Sequence, residues 1–243
     1  MSRKEEEPQL ADKAPKASPG DAAHSLIRAA VSATPVVGGP AAVIFEAILR
    51  PPIEKRRDEW IESIVAELKK LEADFDEVKM ENLREHEGFI TTLASASQIA
   101  MRTHQDEKLE ALRNAVLNTA MRSEPDEDLQ AIFLHLVDRF TPWHLKILKL
   151  FEQPEQWLKQ HDIDYSHYYM GSPAQVLEDA FPELRDQREF YDLIVSELSS
   201  AGLMGIGSLH SSMTATGMLS GRTTQLGRRF LRFISETESK KQP

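Results

Sequence analysis

The last quarter of the chain restricts its fold more than any other part. From Gln187 an amphipathic run leads to "SSAGLM", a stretch rich in Gly, Ser and Thr follows, and the chain then reaches "TTQLGRRFLRFI". A helix stopped by a C′ glycine, a hairpin-forming segment and a short second helix, in that order, make the back half of a winged helix. Phe190, Leu193, Ile194 and Leu198 supply the inner face of the first helix, about 185–201, and Gly202 ends it. Residues 203–223 should form two short strands around a turn near Gly217–Gly221. Gln225–Ser235 should then close the domain by burying Leu226, Phe230, Leu231, Phe233 and Ile234 in part.

Upstream the pattern is helical. Ile53, Trp60, Ile61, Ile64, Leu68, Leu71 and Phe75 line one face of a helix expected over 52–75. A second helical stretch covers Glu77 to Arg102, with Gly88 as a weak point. A third, about 105–121, turns Leu109, Leu112, Val116 and Leu117 inward. Ser123, Pro125 and Asp126 read as a cap for a helix carrying Leu129, Ile132, Phe133, Leu136, Val137 and Phe140. Thr141-Pro142 opens "TPWHLKILKLFEQP", Ser172-Pro173 opens a helix to Ala180, and Pro182 ends that one. No alternating run before residue 200 is long enough for a substantial sheet.

Ala29 to Phe45 holds no charge, and Pro35 to Pro40, "PVVGGP", marks a turn within it. Two short helices, roughly 22–33 and 40–50, should fold back as an apolar hairpin before Pro51 and Pro52 punctuate the chain. Two readings of this hairpin stay open. One is a buried core element, since each helix is too short for the ~20 apolar residues of a membrane span. The other is a membrane contact through Val36, Val37, Val43, Ile44 and Phe45, with Arg50, Lys55, Arg56 and Arg57 at anionic headgroups.

The expected fold is therefore mainly α. It comprises a disordered tail over 1–22, a helical domain over 23–124 with the apolar hairpin at 23–50, a winged-helix-like domain with a small β-hairpin over 125–236, and a flexible tail over 237–243. The charged opening "MSRKEEEPQLADKAPKASPGD" does not read as a signal peptide.

A formal charge of −10 over 243 residues argues against general affinity for nucleic acid, which rests on a surplus of Lys and Arg. The absence of cysteine removes disulfides, thiolate metal sites and a thiol nucleophile. Within a winged helix the third helix reads the groove. Here that helix sets Arg185 and Arg188 against Asp186, Glu189, Asp192 and Glu197, the wrong sign for phosphate. Leu198 to Ser235, by contrast, holds no acid and carries Arg222, Arg228, Arg229 and Arg232, which could meet an acidic partner or a phosphate backbone.

Catalytic signatures are sparse. "GIGSLH" around Ser208 lacks the second glycine of a nucleophile elbow, and neither a P-loop nor H-E-x-x-H occurs. His161, Asp162, Asp164 and His167 carry suitable metal-ligand atoms but without helical spacing, and read as polar loop residues. His135 and His144 read as packing histidines, and Trp60, Trp143 and Trp157 as core anchors. No cofactor, metal or small-molecule substrate is indicated.

The pairing of "DEDLQAIFLHLVDRFTPWHLKILKLF" with "ELSSAGLM" and "TTQLGRRFLRFI" resembles bacterial abortive-infection proteins of the Abi-alpha kind over residues 125–235. The shared plan is a Leu-rich helix after a Thr/Ser-Pro cap and a T-x-L-G-x-x-F close. The resemblance implies a phage-resistance effector without supplying its mechanism. The resulting expectation is a non-enzymatic effector or adaptor in the cytoplasm or at the inner membrane face, acting through a protein partner, self-association or the membrane. The alternative is a winged-helix DNA-binding regulator.

Overall fold

The computed structural model describes residues 40–73, 75–121 and 125–236. Among these, eleven α-helices accompany one two-stranded antiparallel sheet, so the protein is mainly helical. The chain divides into two compact units, Met1–Lys55 and Arg56–Pro243.

In the first unit the description begins at Pro40, and the expected helix 22–33, the 1–22 tail and the 35–39 turn lie outside the described residues. Helix α1 (Pro40–Leu71) runs through Pro51 and Pro52 without the expected break. Proline's fixed φ near −65° is itself helical; the pair forfeits only its own two N–H bonds, those that would reach the carbonyls of Ala47 and Ile48.

In the second unit, the expected helix 77–102 is instead three pieces: a 3₁₀ turn at Asp76–Val78, α2 (Met80–Leu83) and α3 (Glu87–Arg102). Leu83 and Phe89 explain the break. They are six residues apart, about 120° on a continuous helix, yet both are buried. An extended His86 between them turns both inward. Helix α4 (Asp106–Ala120) falls where periodicity places it, with Leu112 and Val116 fully buried.

Helix α5 (Glu127–Arg139) is capped by Asp126, whose carboxylate accepts the Leu129 N–H at 3.1 Å. Ser123, the expected cap, lies outside the described residues. Helix α6 (Pro142–Leu150) opens at Thr141-Pro142 as expected, and α7 (Pro154–Gln160) starts on Pro154. After an irregular stretch come β1 (Met170–Gly171), α8 (Pro173–Ala180), a 3₁₀ turn at Pro182–Leu184 and α9 (Arg188–Ser200). Gly202 ends α9 at φ +74°, with the Leu203 N–H returning to the Leu198 carbonyl at 3.0 Å, a Schellman closure.

Residues 203–223 depart from the expected hairpin. Their ends meet in a single antiparallel bridge, Met204 with Thr223, but β2 (Met213–Thr214) pairs with β1, and Ala215–Met218 is a short helix, α10. Tyr169 and Ala215 extend that pairing by one backbone bond, drawing the segment toward β1 instead of onto itself.

Helix α11 (Gln225–Ile234) closes the chain against α4. Phe230 meets Phe133 edge-on at 5.3 Å, and Phe233 lies 5.8 Å from the same ring. Helices from both sides of residue 124 thus share one hydrophobic core. The Asn118 amide donates to the carbonyls of Arg232, Phe233 and Ser235, and Asn114 to that of Ile234. Those are the carbonyls a helix end leaves without partners, so α4 caps α11 from the side.

The start of α11 explains "TxLGxxF". Thr224 Oγ1 accepts the Gly227 N–H at 3.0 Å and donates to the Gly202 carbonyl at 2.6 Å. A Cβ on Gly227 would collide with the Leu203 carbonyl oxygen and stand 2.6 Å from Thr223 Cγ2. Only glycine lets α11 approach the Met204–Thr223 bridge so closely.

Three apolar residues expected inside point outward: Ile61 is 49% exposed, Ile132 51% and Leu193 56%. In α9 the buried set is Tyr191, Ile194, Val195 and Leu198. The ring of Tyr191, 60° from Ile194 around the helix, takes the place assigned to Leu193. Ile53, also expected inward, is exposed.

Candidate interaction surface

The outer line of α9 is Glu189, Leu193, Ser196 and Ser200, all exposed at i, i+4, i+7 and i+11. Half-buried Asp192 and Glu197 flank it. Residues 178–197 hold seven acids and two arginines, and both arginines are engaged within the chain. Arg185 meets Asp179 at 3.2 Å and Arg188 meets Asp192 at 3.5 Å. Each is more than half exposed, so these pairs add little stability, but they set the guanidiniums beside carboxylates.

Behind this face lies a polar network that sequence reasoning missed. Tyr191 donates to Glu178 at 2.9 Å and is pushed up to about 12 by burial and that carboxylate. Tyr168 donates to Asp179 at 2.9 Å and is raised by burial and by Asp179. His210 Nε2 reaches both Asp192 oxygens, at 2.8 and 3.0 Å. The tyrosines sit seven to thirteen residues from one another's carboxylates in sequence or across an irregular loop, so no fixed spacing announces them.

The four arginines of the basic end fare differently. Arg222 is half-buried; its guanidinium donates to the Gly217 carbonyl and touches Met213 Sδ at 3.0 Å, pinning its own loop. Half-buried Arg229 lies 3.7 Å from Asp126. Arg228 and Arg232 are exposed, and Arg228 donates to the Thr223 carbonyl at 2.8 Å.

Of the residues read as membrane contacts, Val36 and Val37 lie outside the described residues, as do the side chains of Val43, Ile44, Phe45 and Arg50. Lys55 is exposed, and exposed Arg57 pairs with Asp58 at 3.4 Å. No helix among the described residues is long and apolar enough to cross a membrane. Arg56 is half-buried and lines a groove of about 480 Å³ with Glu59, Trp60, His104, Glu110 and Arg113, a rim of both signs.

Among the described residues no group of three or more His, Asp or Glu side chains could hold a metal. His161 instead stacks on Trp157 at 3.7 Å, Asp164 accepts the Ser166 N–H, and His167 lies 3.5 Å from Asp179. Ser208 accepts the His210 N–H in a local turn. His144 is buried as expected, whereas His135 is exposed, one position off the Phe133–Leu136–Val137 stripe. Trp60 is buried, and Trp143 and Trp157 pack on Phe181 at 5.4 and 5.2 Å.

No protein-family model matches the chain, and no characterised protein or solved structure is significantly similar to it.

Proposed function

We propose that this chain is a non-enzymatic bacterial effector or adaptor of the abortive-infection kind. Its C-terminal part is a winged-helix-like module that acts by holding a protein partner. In this reading α6, α8 and α9 are the three helices, the Met204–Thr223 bridge is the root of the wing, and α11 closes the module. The observation that carries the reading is the α9 surface. Its arginines lie beside carboxylates, its exposed line is acidic and polar, and Leu193 stands exposed at the centre. An apolar anchor within a charged rim suits a protein contact, while net negative charge on the groove-reading helix opposes a phosphate-lined duplex.

The test is a phage challenge of bacteria expressing the chain, with a photo-crosslinking residue at position 193 in parallel. Protection of the culture with a discrete adduct is expected, and both should be lost in Glu189→Lys with circular dichroism unchanged. Full protection by that variant overturns the reading.

Arg228 and Arg232 support a second reading, a regulator that touches DNA through the basic end. It requires duplex binding at about 50 mM salt that weakens with added salt and on replacing both arginines. Absence of that binding removes it.

A further inference from the structure

One imidazole joins three helices. His144, in the first turn of α6, is 2% exposed and lies flat against Phe140 at the end of α5, rings 4.5 Å apart and 7° from parallel. The Thr141 backbone N–H donates to its Nδ1 at 3.1 Å. That donor dictates the tautomer: Nδ1 presents its lone pair, so the proton sits on Nε2 and is donated to Glu197 Oε2 of α9 at 2.8 Å. The same ring therefore caps α6, covers the end of α5 and fastens the C-terminal half of α9.

We propose that His144 is an acid-released latch: when its ring takes up a proton, the C-terminal half of α9 lets go of α6. A second ring proton would go on Nδ1, pointing at the Thr141 N–H. The cap bond would be lost, a main-chain donor orphaned and a cation left in a buried site. The charged groups around the ring are few. Glu197 of α9 favours the cation; Arg139 at the end of α5 and Lys108 of α4 oppose it. Lys146, on α6 itself, pairs with Glu107 of α4 at 2.8 Å. The α8 carboxylates are turned elsewhere, Glu178 to Tyr191 and Asp179 to Tyr168 and Arg185.

Burial prevails over the Glu197 bond and holds the ring below the usual histidine range. The closed form thus prefers neutral His144. Its advantage is complete above a pH of about 6.5 and is lost as the pH falls below that value. The N-terminal half of α9 stays fastened, because the His210–Asp192 contact still joins a donor to an acceptor when the imidazole is charged.

Amide hydrogen exchange, corrected for intrinsic rates, reads the latch. Between pH 7.5 and 5.5, protection at residues 196–201 should fall about tenfold, with amides of α4 unchanged. His144→Gln should abolish that pH dependence while keeping the fold. Its carbonyl can accept the Thr141 N–H as in an ordinary capping box, and its amide can donate to Glu197. Glu197→Gln keeps the acceptor but removes the counter-charge, so its loss of protection should continue to lower pH than in the unmodified chain. Equal loss in the His144→Gln protein, or an unmodified chain whose protection at 196–201 does not change, overturns the proposal. Should His144→Gln fail to fold, a Glu197→Gln profile identical to the unmodified one does the same.

Discussion

Helices α9 and α11 lie within fifty residues of each other, are similarly amphipathic, and have opposite charge. The basic one looks like the surface that meets a partner, and the acidic one like a solvated flank. Their surroundings reverse that impression. In α11, Phe230, Leu231, Phe233 and Ile234 are all buried, its C-terminal carbonyls are taken by Asn114 and Asn118, and Arg229 is drawn to Asp126. In α9 a large apolar side chain, Leu193, faces outward from a helix whose charges are already arranged among themselves. Charge sign does not distinguish a core helix from a contact helix. What does is where the apolar side chains and the end carbonyls are satisfied.

The contrast breaks most sharply at Gly227. In Gly227→Ala the new methyl meets a backbone carbonyl, which has no rotamer to escape into. Either α11 moves off the Met204–Thr223 bridge or the chain fails to fold. A loss above about 3 kcal/mol is expected in chemical denaturation. Phe230→Ala leaves a cavity against Phe133 and Phe140 and should cost about 3–5 kcal/mol. Asn118→Ala strips three carbonyls of their donor at the end of α11 and should cost about 2 kcal/mol, with fraying of residues 232–235 in hydrogen exchange. A small effect from any of these would mean that α11 is the dispensable surface helix its arginines suggest.

Much of this contrast was written in local pattern. The caps at Thr141 and Ser172, the Gly202 stop and the apolar stripe of α4 follow from short-range rules, and the structure places them where those rules do. The misplacements have one physical source. Periodicity names a helical face about 100° wide but not its centre, so Leu193 and Ile132 were counted inside when neighbours from other helices filled the stripe one position away. The 203–223 segment was read as a hairpin because its turn residues are local, whereas its strand pairs with Met170–Gly171, some forty residues upstream. The polar joints, Asn118 to α11, Tyr191 to Glu178 and His144 to Glu197, connect residues far apart in sequence, and no spacing rule reaches across such gaps.

The smallest structural effect carries the most functional weight. Leu193→Ser removes an exposed side chain that makes no core contact, so stability should stay within about 0.5 kcal/mol of the unmodified chain. Replacing both Arg228 and Arg232 by Ala should likewise leave the thermal midpoint unmoved. If α9 is the contact helix, Leu193→Ser loses phage protection and the crosslinked adduct, while the double arginine variant keeps both. Loss confined to the arginine variant would exchange the roles of the two helices and favour the DNA-binding reading. Because neither change disturbs the core, the outcome separates a lost contact from a lost fold, which the Gly227 and Phe230 variants cannot do.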